Sequence, residues 1–331
     1  MYKVLIVGCG KVAGYFDDLK NTEQNESHLS AFRSNSSFEV AGCVDIDRDK
    51  AEEFSCKSGI PYSGDDLSDA ISNVGPDVVL IATPDETHFA VTSKLLKLPS
   101  PLPRIVLLEK PACSSENELN ILRRMADDQN VPIFVNHSRR FSQLYKKLRT
   151  GFKENKFGAL LRIDGTYYGG WRHSGVHLVD TVRYVSGLEL KNLLIVEKVC
   201  DGQSDDPTYT VKGELGPQNI PVWFHGWNQE HYQIFDFDFR FSGGRLRVSN
   251  FEEQVIWEEP HKNLMEESVL RPQSMGFPQA KESPLRSLAC CIREYLDDNR
   301  SDMLEGCLLT EIAPTMRTLW QVENGIRNET N

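Results

Sequence analysis

The chain of 331 residues has no long hydrophobic run. Nothing in it approaches the roughly 20 consecutive apolar residues that a membrane helix requires, and the mean hydropathy is −0.41. Positive charge is also scarce. Lys and Arg number 37 against 48 Asp and Glu, a net charge of −11. Binding along a phosphate backbone needs clustered Lys and Arg, so a nucleic-acid partner is not expected. A membrane partner is not expected either, while a local basic patch for an anionic substrate remains compatible with the net charge. No pair among the eight cysteines (Cys9, Cys43, Cys56, Cys113, Cys200, Cys290, Cys291, Cys307) has Cys-x-x-Cys spacing, which argues against a zinc ribbon or a dithiol redox centre. The opening apolar run, Lys3–Val7, is too short for a secretory leader and runs into Gly8, so it reads as a strand. Reduced thiols and a cytoplasmic location are the expectation. There is no internal repeat.

What the chain does have is alternation. Over the first 135 residues, apolar runs at Lys3–Val7, Phe38–Val44, Asp77–Ile81, Arg104–Leu108 and Val131–Val135 are separated by helical patterns. These patterns fall at Asp49–Lys57, Leu67–Asn73, His88–Lys97 and Ser115–Gln129. Strand–helix alternation predicts a doubly wound parallel sheet, α/β in class, with helices on both faces. Ser114 or Ser115 with Glu118 resembles a capping box. After about residue 137 the pattern changes. Helices are expected at Phe141–Phe152, Gly175–Val185, Pro284–Asp298 and Glu305–Glu323, and a strand at Ala159–Tyr168. From Leu193 to Trp257 the alternation is β-like, clearest in Phe235-Asp236-Phe237-Asp238-Phe239-Arg240-Phe241, with aromatics on one face and charges on the other. A large, open, mostly antiparallel sheet with one covered face follows. Glu266–Pro284 reads as a surface loop. The predicted domains are 1–137, dinucleotide-binding, and 138–331, an α+β domain for substrate binding and oligomerisation.

Gly8-Cys9-Gly10-Lys11-Val12-Ala13-Gly14 follows the first strand and fits G-x-G-x-x-A, a variant of the dinucleotide fingerprint. The first glycine permits the turn and Gly10 lets backbone approach a pyrophosphate; Ala13 or Gly14 allows close helix packing. The next helix start would present N–H groups to the phosphates. The second strand ends in Asp45, whose carboxylate suits ribose hydroxyls and repels a 2′-phosphate. NAD is therefore the expected cofactor, with Arg48 keeping NADP open. Capping of the next helix is the alternative role for Asp45. The spacing from Gly8 to Asp45 exceeds the roughly 20 residues usual for this motif, which points to an insertion at Asp17–Ser27.

Further motifs stand in order: Ile81-Ala82-Thr83-Pro84 with His88, Glu109-Lys110-Pro111, Arg139-Arg140-Phe141, and Gly175-Val176-His177-Leu178-Val179-Asp180. The set resembles the glucose-fructose oxidoreductase / inositol dehydrogenase / MocA family (Gfo/Idh/MocA), motif by motif over about residues 1–187 and in architecture beyond. The resemblance implies hydride transfer between nicotinamide and a carbinol carbon of a sugar, polyol or sugar nucleotide, in homodimers or homotetramers built through the C-terminal sheet. It places Lys110 beside the nicotinamide and the substrate hydroxyl, His177 as general acid/base and Asp180 near the substrate. Thr83, Pro84, His88 and Glu109 join Gly8, Gly10, Lys11, Val12, Ala13 and Asp45 around the cofactor, although His88 reads equally as a helix-start residue. Arg140, Tyr168, Trp171, Arg172 and His173 are substrate-pocket candidates. Many members carry Asp where this chain has His173, so its role stays open. His173, His177 and Asp180 share the spacing of a metal-ligand set, but no other Cys or His cluster supports one, and no metal is expected. Two other functions fit the same resemblance: a glycoside hydrolase that recycles its NAD, and a cofactor-binding member without catalysis.

Overall fold

The computed structural model describes residues 1–15, 17, 27–200, 205–274, 283–298 and 300–329. The Asp17–Ser27 insertion lies almost wholly outside them. By packing, the chain forms two units, one of Met1–Phe141 with Glu282–Ala313 and one of Ser142–Lys281 with Pro314–Asn331.

The first unit contains β1 (Tyr2–Val7), α1 (His28–Arg33), β2 (Phe38–Val44), α2 (Arg48–Ser58), β3 (Tyr62–Gly64), α3 (Leu67–Val74), β4 (Val78–Ile81), α4 (His88–Leu96), β5 (Ile105–Leu108), α5 (Glu116–Gln129) and β6 (Ile133–Val135). The six strands are parallel in the order β3-β2-β1-β4-β5-β6. The order reverses between β1 and β4, where open α/β sheets bind ligands at the strands' carboxyl ends. Val4, Ile6, Val78, Leu80, Ile105 and Leu107 are wholly buried, as strands covered on both faces require. The helices start where side chains cap them. Asp47 caps α2 and Asp66 caps α3. At α5, Ser115 Oγ accepts from Glu118 N, while the Glu118 carboxylate accepts from Ser114 N at 2.8 Å.

The expected second domain, 138–331, does not hold together as one body. Ser138–Phe141 and the Glu282–Ala313 stretch pack with the Rossmann unit. The apolar stripe of α8 (Pro284–Asp298), with Leu288, Ala289, Ile292 and Leu296, is buried against this unit's core. Cys307–Leu309 then runs antiparallel along β6, with Val135 N donating to Cys307 O and Leu309 N to Ile133 O.

The second unit holds α6 (Gln143–Lys153), β7 (Leu160–Tyr168), α7 (Val176–Ser186), β8 (Leu190–Lys198), β9 (Tyr209–Leu215), β10 (Ile220–Trp227), β11 (Asp236–Phe241), β12 (Gly244–Ser249), β13 (Gln254–Lys262), β14 (Ser268–Gln273) and most of α9 (Ala313–Glu329). Its eight-stranded sheet has the order β14-β13-β12-β11-β7-β10-β9-β8, antiparallel except for the β7–β10 pair. Phe237, Phe239 and Phe241 point into the core, and Asp238 and Arg240 to the half-exposed face, as the alternation requires. Two expectations fail. The Glu266–Pro284 loop contains β14, paired with β13 from Trp257 to Lys262; residues 275–282 of that stretch lie outside the described ones. The helix expected at Glu305–Glu323 begins only at Ala313, because Glu305 and Gly306 both take left-handed φ values (51° and 71°), which end a helical turn.

Candidate functional site

The glycine turn sits at the carboxyl end of β1. Gly8 has φ 95°, and a Cβ there would lie 2.6 Å from Ala82 O, so no other residue fits between β1 and the loop after β4. A Cβ on Gly10 would meet nothing within 4 Å, which leaves backbone open to the cleft. The chain then makes a single helical turn, with Tyr15 N donating to Gly10 O. The hydrogen-bond ladder is taken up again beyond the insertion: His28 N donates to Val12 O and Leu29 N to Ala13 O. The helix that follows a dinucleotide turn is thus interrupted and resumed, and Ser27 caps the resumed part reciprocally with Ser30.

Gly8, Gly10, Lys11, Val12, Asp45, Thr83 and Pro84 all line one cleft of about 690 Å³. Ala13 does not; it is wholly buried beneath the turn, a packing role. Asp45 Oδ2 accepts from Cys9 N at 2.8 Å and faces Lys50 Nζ at 3.0 Å, and Oδ1 accepts from Asp47 N at 3.1 Å. Burial pushes this carboxyl up, but the two N–H donors and Lys50 outweigh it and hold it below the ordinary value. One lone pair on Oδ1 is left for a ribose hydroxyl. Capping of α2 belongs to Asp47, not Asp45. Arg48 pairs with Glu52 on the helix surface, and it is not among the lining residues.

Beneath the cleft lies a network that sequence patterns do not announce. Glu109 Oε1 faces His28 Nε2 at 2.5 Å and accepts from Asn136 Nδ2 at 2.6 Å. Burial opposes its ionisation, yet His28, Asn136 and Lys110 bring its pKa down to about 2. The carboxylate also accepts from the Lys110 amide at 3.3 Å. Glu109 is therefore not a wall of the cleft; it anchors the loop that carries Lys110. His88 is wholly buried, and its ring nitrogens face Pro111 O at 2.7 Å and Thr83 O at 2.9 Å. The expected cofactor contact of His88 is thus replaced by a clamp between the Thr83 loop and the Lys110 loop. His28 and Asn136 escaped the sequence reading. The signal that could have found them is the rule that a buried carboxylate requires partners.

In the second unit, Asp206 accepts from the amides of Arg172 and His173 and so caps a π-turn at Trp171–Gly175, which leads into α7. The turn directs Trp171 inward. Its indole is wholly buried, donates to Leu319 O and lies against Tyr167 and Phe224, so it is core and not pocket wall. Asp180 is 2% exposed and accepts from Thr315 Oγ1 at 3.0 Å, which ties α7 to α9. Arg172 pairs with Asp206 and Glu323. His177 is half-buried and edge-on to Phe235; His173 is exposed, and Tyr168 is half-buried beside Phe251. Arg140, in the first unit, is buried with its guanidinium on Glu305 O and Gly306 O. It satisfies carbonyls of a left-handed turn and is not available to a substrate.

Residues 2–137 match the family model described as Gfo/Idh/MocA, oxidoreductase family, NAD-binding Rossmann fold. Among curated relatives, an inositol 2-dehydrogenase of Pseudarthrobacter chlorophenolicus is 26% identical over 197 residues, 54% of this chain and 57% of its own. A 4-carboxy-2-hydroxymuconate-6-semialdehyde dehydrogenase of Sphingobium sp. is 24% identical over 117 residues, 35% and 36%. The matched stretches thus span between about a third and somewhat over half of the relatives' length. Solved structures show the same fold along nearly the whole chain. An Agrobacterium radiobacter oxidoreductase in complex with NAD+, L-tartaric acid and magnesium has TM-score 0.72 at 14% identity, covering 99% and 97%. The super-repressor mutant of Gal80p from Saccharomyces cerevisiae has TM-score 0.76 at 14% identity, covering 98% and 95%. The glycine turn and its cleft fall within residues 2–137, the stretch that matches the NAD-binding Rossmann-fold model of the Gfo/Idh/MocA oxidoreductase family.

Proposed function

We propose that the protein is an NAD-dependent dehydrogenase acting on a CH–OH group of a sugar, polyol or sugar nucleotide. The observation that supports this best is the anchored Lys110 loop, tied by His88 to Thr83, a residue that lines the nucleotide cleft. The cofactor supplies the hydride acceptor, and the residues present fit it: an open backbone at Gly10, an acidic residue at the ribose end and apolar Ile46 at the rim. The Asp45 carboxylate, held ionised by its N–H donors and Lys50, would repel a 2′-phosphate, so NAD is preferred over NADP.

In the oxidation, Lys110 orients the substrate hydroxyl and stabilises negative charge developing on its oxygen. The oxidation also needs a group to take the hydroxyl proton, and the family resemblance gives that role to His177. His173, exposed, and Tyr168, half-buried, are the second unit's remaining candidates for contact with substrate. Self-association would use the half-exposed face of the C-terminal sheet, where Leu194 and Val196 are exposed. Among the described residues no helix is long and apolar enough to cross a membrane; a cytoplasmic site is proposed from eight cysteines none of which is bonded to another. The test is absorbance at 340 nm with NAD and a panel of polyols, free sugars and UDP- or GDP-sugars. A signal lost in Lys110→Ala supports the reading. Silence across the panel with NADH still bound favours a cofactor-binding protein without net oxidation, a reading kept alive by His173 at the position where the family often has Asp.

A further inference from the structure

A second cavity, of about 570 Å³, opens in the Rossmann unit at the opposite, amino-terminal ends of the strands, where β5 and β6 begin. Its floor is apolar: Ala126, Val131, Ile133 and Leu309. Its rim is rich in donors: Arg104, Arg123, Tyr295 and Asn130. Arg104 is held in place, with one Nη donating to Leu296 O and the guanidinium over the Tyr2 ring. Its charge also acts on the Tyr295 hydroxyl. Arg123 differs. Its Nε is buried with no hydrogen-bond partner, and no ion pair to its guanidinium occurs among the described residues. A buried donor without a partner costs roughly 1–3 kcal/mol, and native structures rarely leave one without cause. Asp127 is the one acid of the lining and is exposed.

We propose that this cavity is a binding site for a small organic oxyanion, a carboxylate or phosphate group on a compact apolar body. The guanidinium of Arg123 takes the anion through charge-assisted hydrogen bonds, Arg104 and Tyr295 add positive potential and a donor, and the apolar floor takes the body of the ligand. The volume falls within the range of small-molecule sites. The cleft at the glycine turn lies at the other end of the sheet, so the two ligands bind independently of each other's contacts.

Benzoate and phenyl phosphate serve as probes, with inorganic phosphate as the anion lacking an apolar body, titrated into the full chain by calorimetry. At least one aromatic probe is expected to bind in the millimolar range or tighter, with or without saturating NADH, and inorganic phosphate more weakly. Benzoate against phenyl phosphate tells a carboxylate ligand from a phosphate one. Arg123→Gln should weaken binding about tenfold or more, the share of one charge-assisted pair, and leave NADH affinity unchanged. Arg123→Glu should abolish it. Binding equal in wild type and Arg123→Gln, displacement of benzoate by NADH, or no heat with either aromatic probe would each overturn the proposal. Because Arg123 is partly exposed on α5, both variants are expected to fold, which unchanged NADH binding verifies.

Discussion

Two carboxylates of the Rossmann unit each face a basic side chain, and they are built for different work. Glu109 is enclosed, with His28 at 2.5 Å and Asn136 at 2.6 Å. Asp45 stands at the rim of the cleft, with Lys50 at 3.0 Å and 39% of the lysine side chain exposed. In a low-dielectric interior, removing one partner strands a charge, which costs about 3–5 kcal/mol; a rim pair is screened by water and contributes little. The buried pair therefore fixes geometry, and the rim pair is free to act on a ligand.

The largest effect should come from breaking the buried pair. His28→Ala is expected to lower unfolding free energy by about 3–5 kcal/mol in denaturant titrations, because Glu109 keeps its charge without its main partner. The pH dependence has a definite sign. Glu109 titrates at about 2 in the folded chain against an ordinary 4.5. Its contribution is thus complete above about pH 4.5 and lost as pH falls toward 2, because the unfolded chain binds the proton first. Glu109→Gln should flatten the stability curve in that window; an unchanged acid limb would show that other carboxylates govern acid unfolding.

The second effect carries the comparison into the other unit. Asp180 is more buried than either carboxylate and, like Glu109, is held by a side chain, Thr315, that ties α7 to α9. Thr315→Val should cost about 1–2 kcal/mol of stability and leave NADH affinity as it is. A loss of NADH affinity at unchanged stability would return Asp180 to the substrate side.

The same contrast explains what could be read from the sequence. The parallel sheet of the first unit and the glycine turn are legible because they follow from periodicity and from backbone rules local to a few residues. Gly8 must be glycine since a Cβ would strike Ala82 O. The structural partners of Arg140, Trp171 and Asp180 are not legible, because Glu305 and Gly306, Leu319 and Thr315 lie more than a hundred residues away in the chain. A polar side chain near a catalytic motif looks functional until the fold shows which carbonyl or hydroxyl it satisfies. Of the two readings of His88, the helix-start one matches α4, which begins there, while its ring turns toward two carbonyls. α8 was found as a helix but given to the wrong unit, since an apolar stripe says that a face is buried and not against what.

A third effect tests the rim. Asp45→Ala removes the ribose acceptor and the brace on the Cys9 amide, and NADH affinity should fall about tenfold, near 1.4 kcal/mol. NADPH affinity should fall less or rise, since negative charge leaves the ribose end; equal losses for both cofactors would make Asp45 a brace alone. The smallest effect is expected at Lys50. Lys50→Met keeps the stem and removes the charge, and stability should change by no more than about 1 kcal/mol because the pair is partly solvated. Asp45 would retain its two backbone donors and stay ionised at neutral pH, so NADH affinity should change less than in Asp45→Ala. The uncompensated carboxylate would repel a 2′-phosphate more strongly, and the preference for NADH over NADPH in fluorescence titrations should widen. A narrower preference would mean that Lys50 restrains Asp45 rather than offsetting its charge.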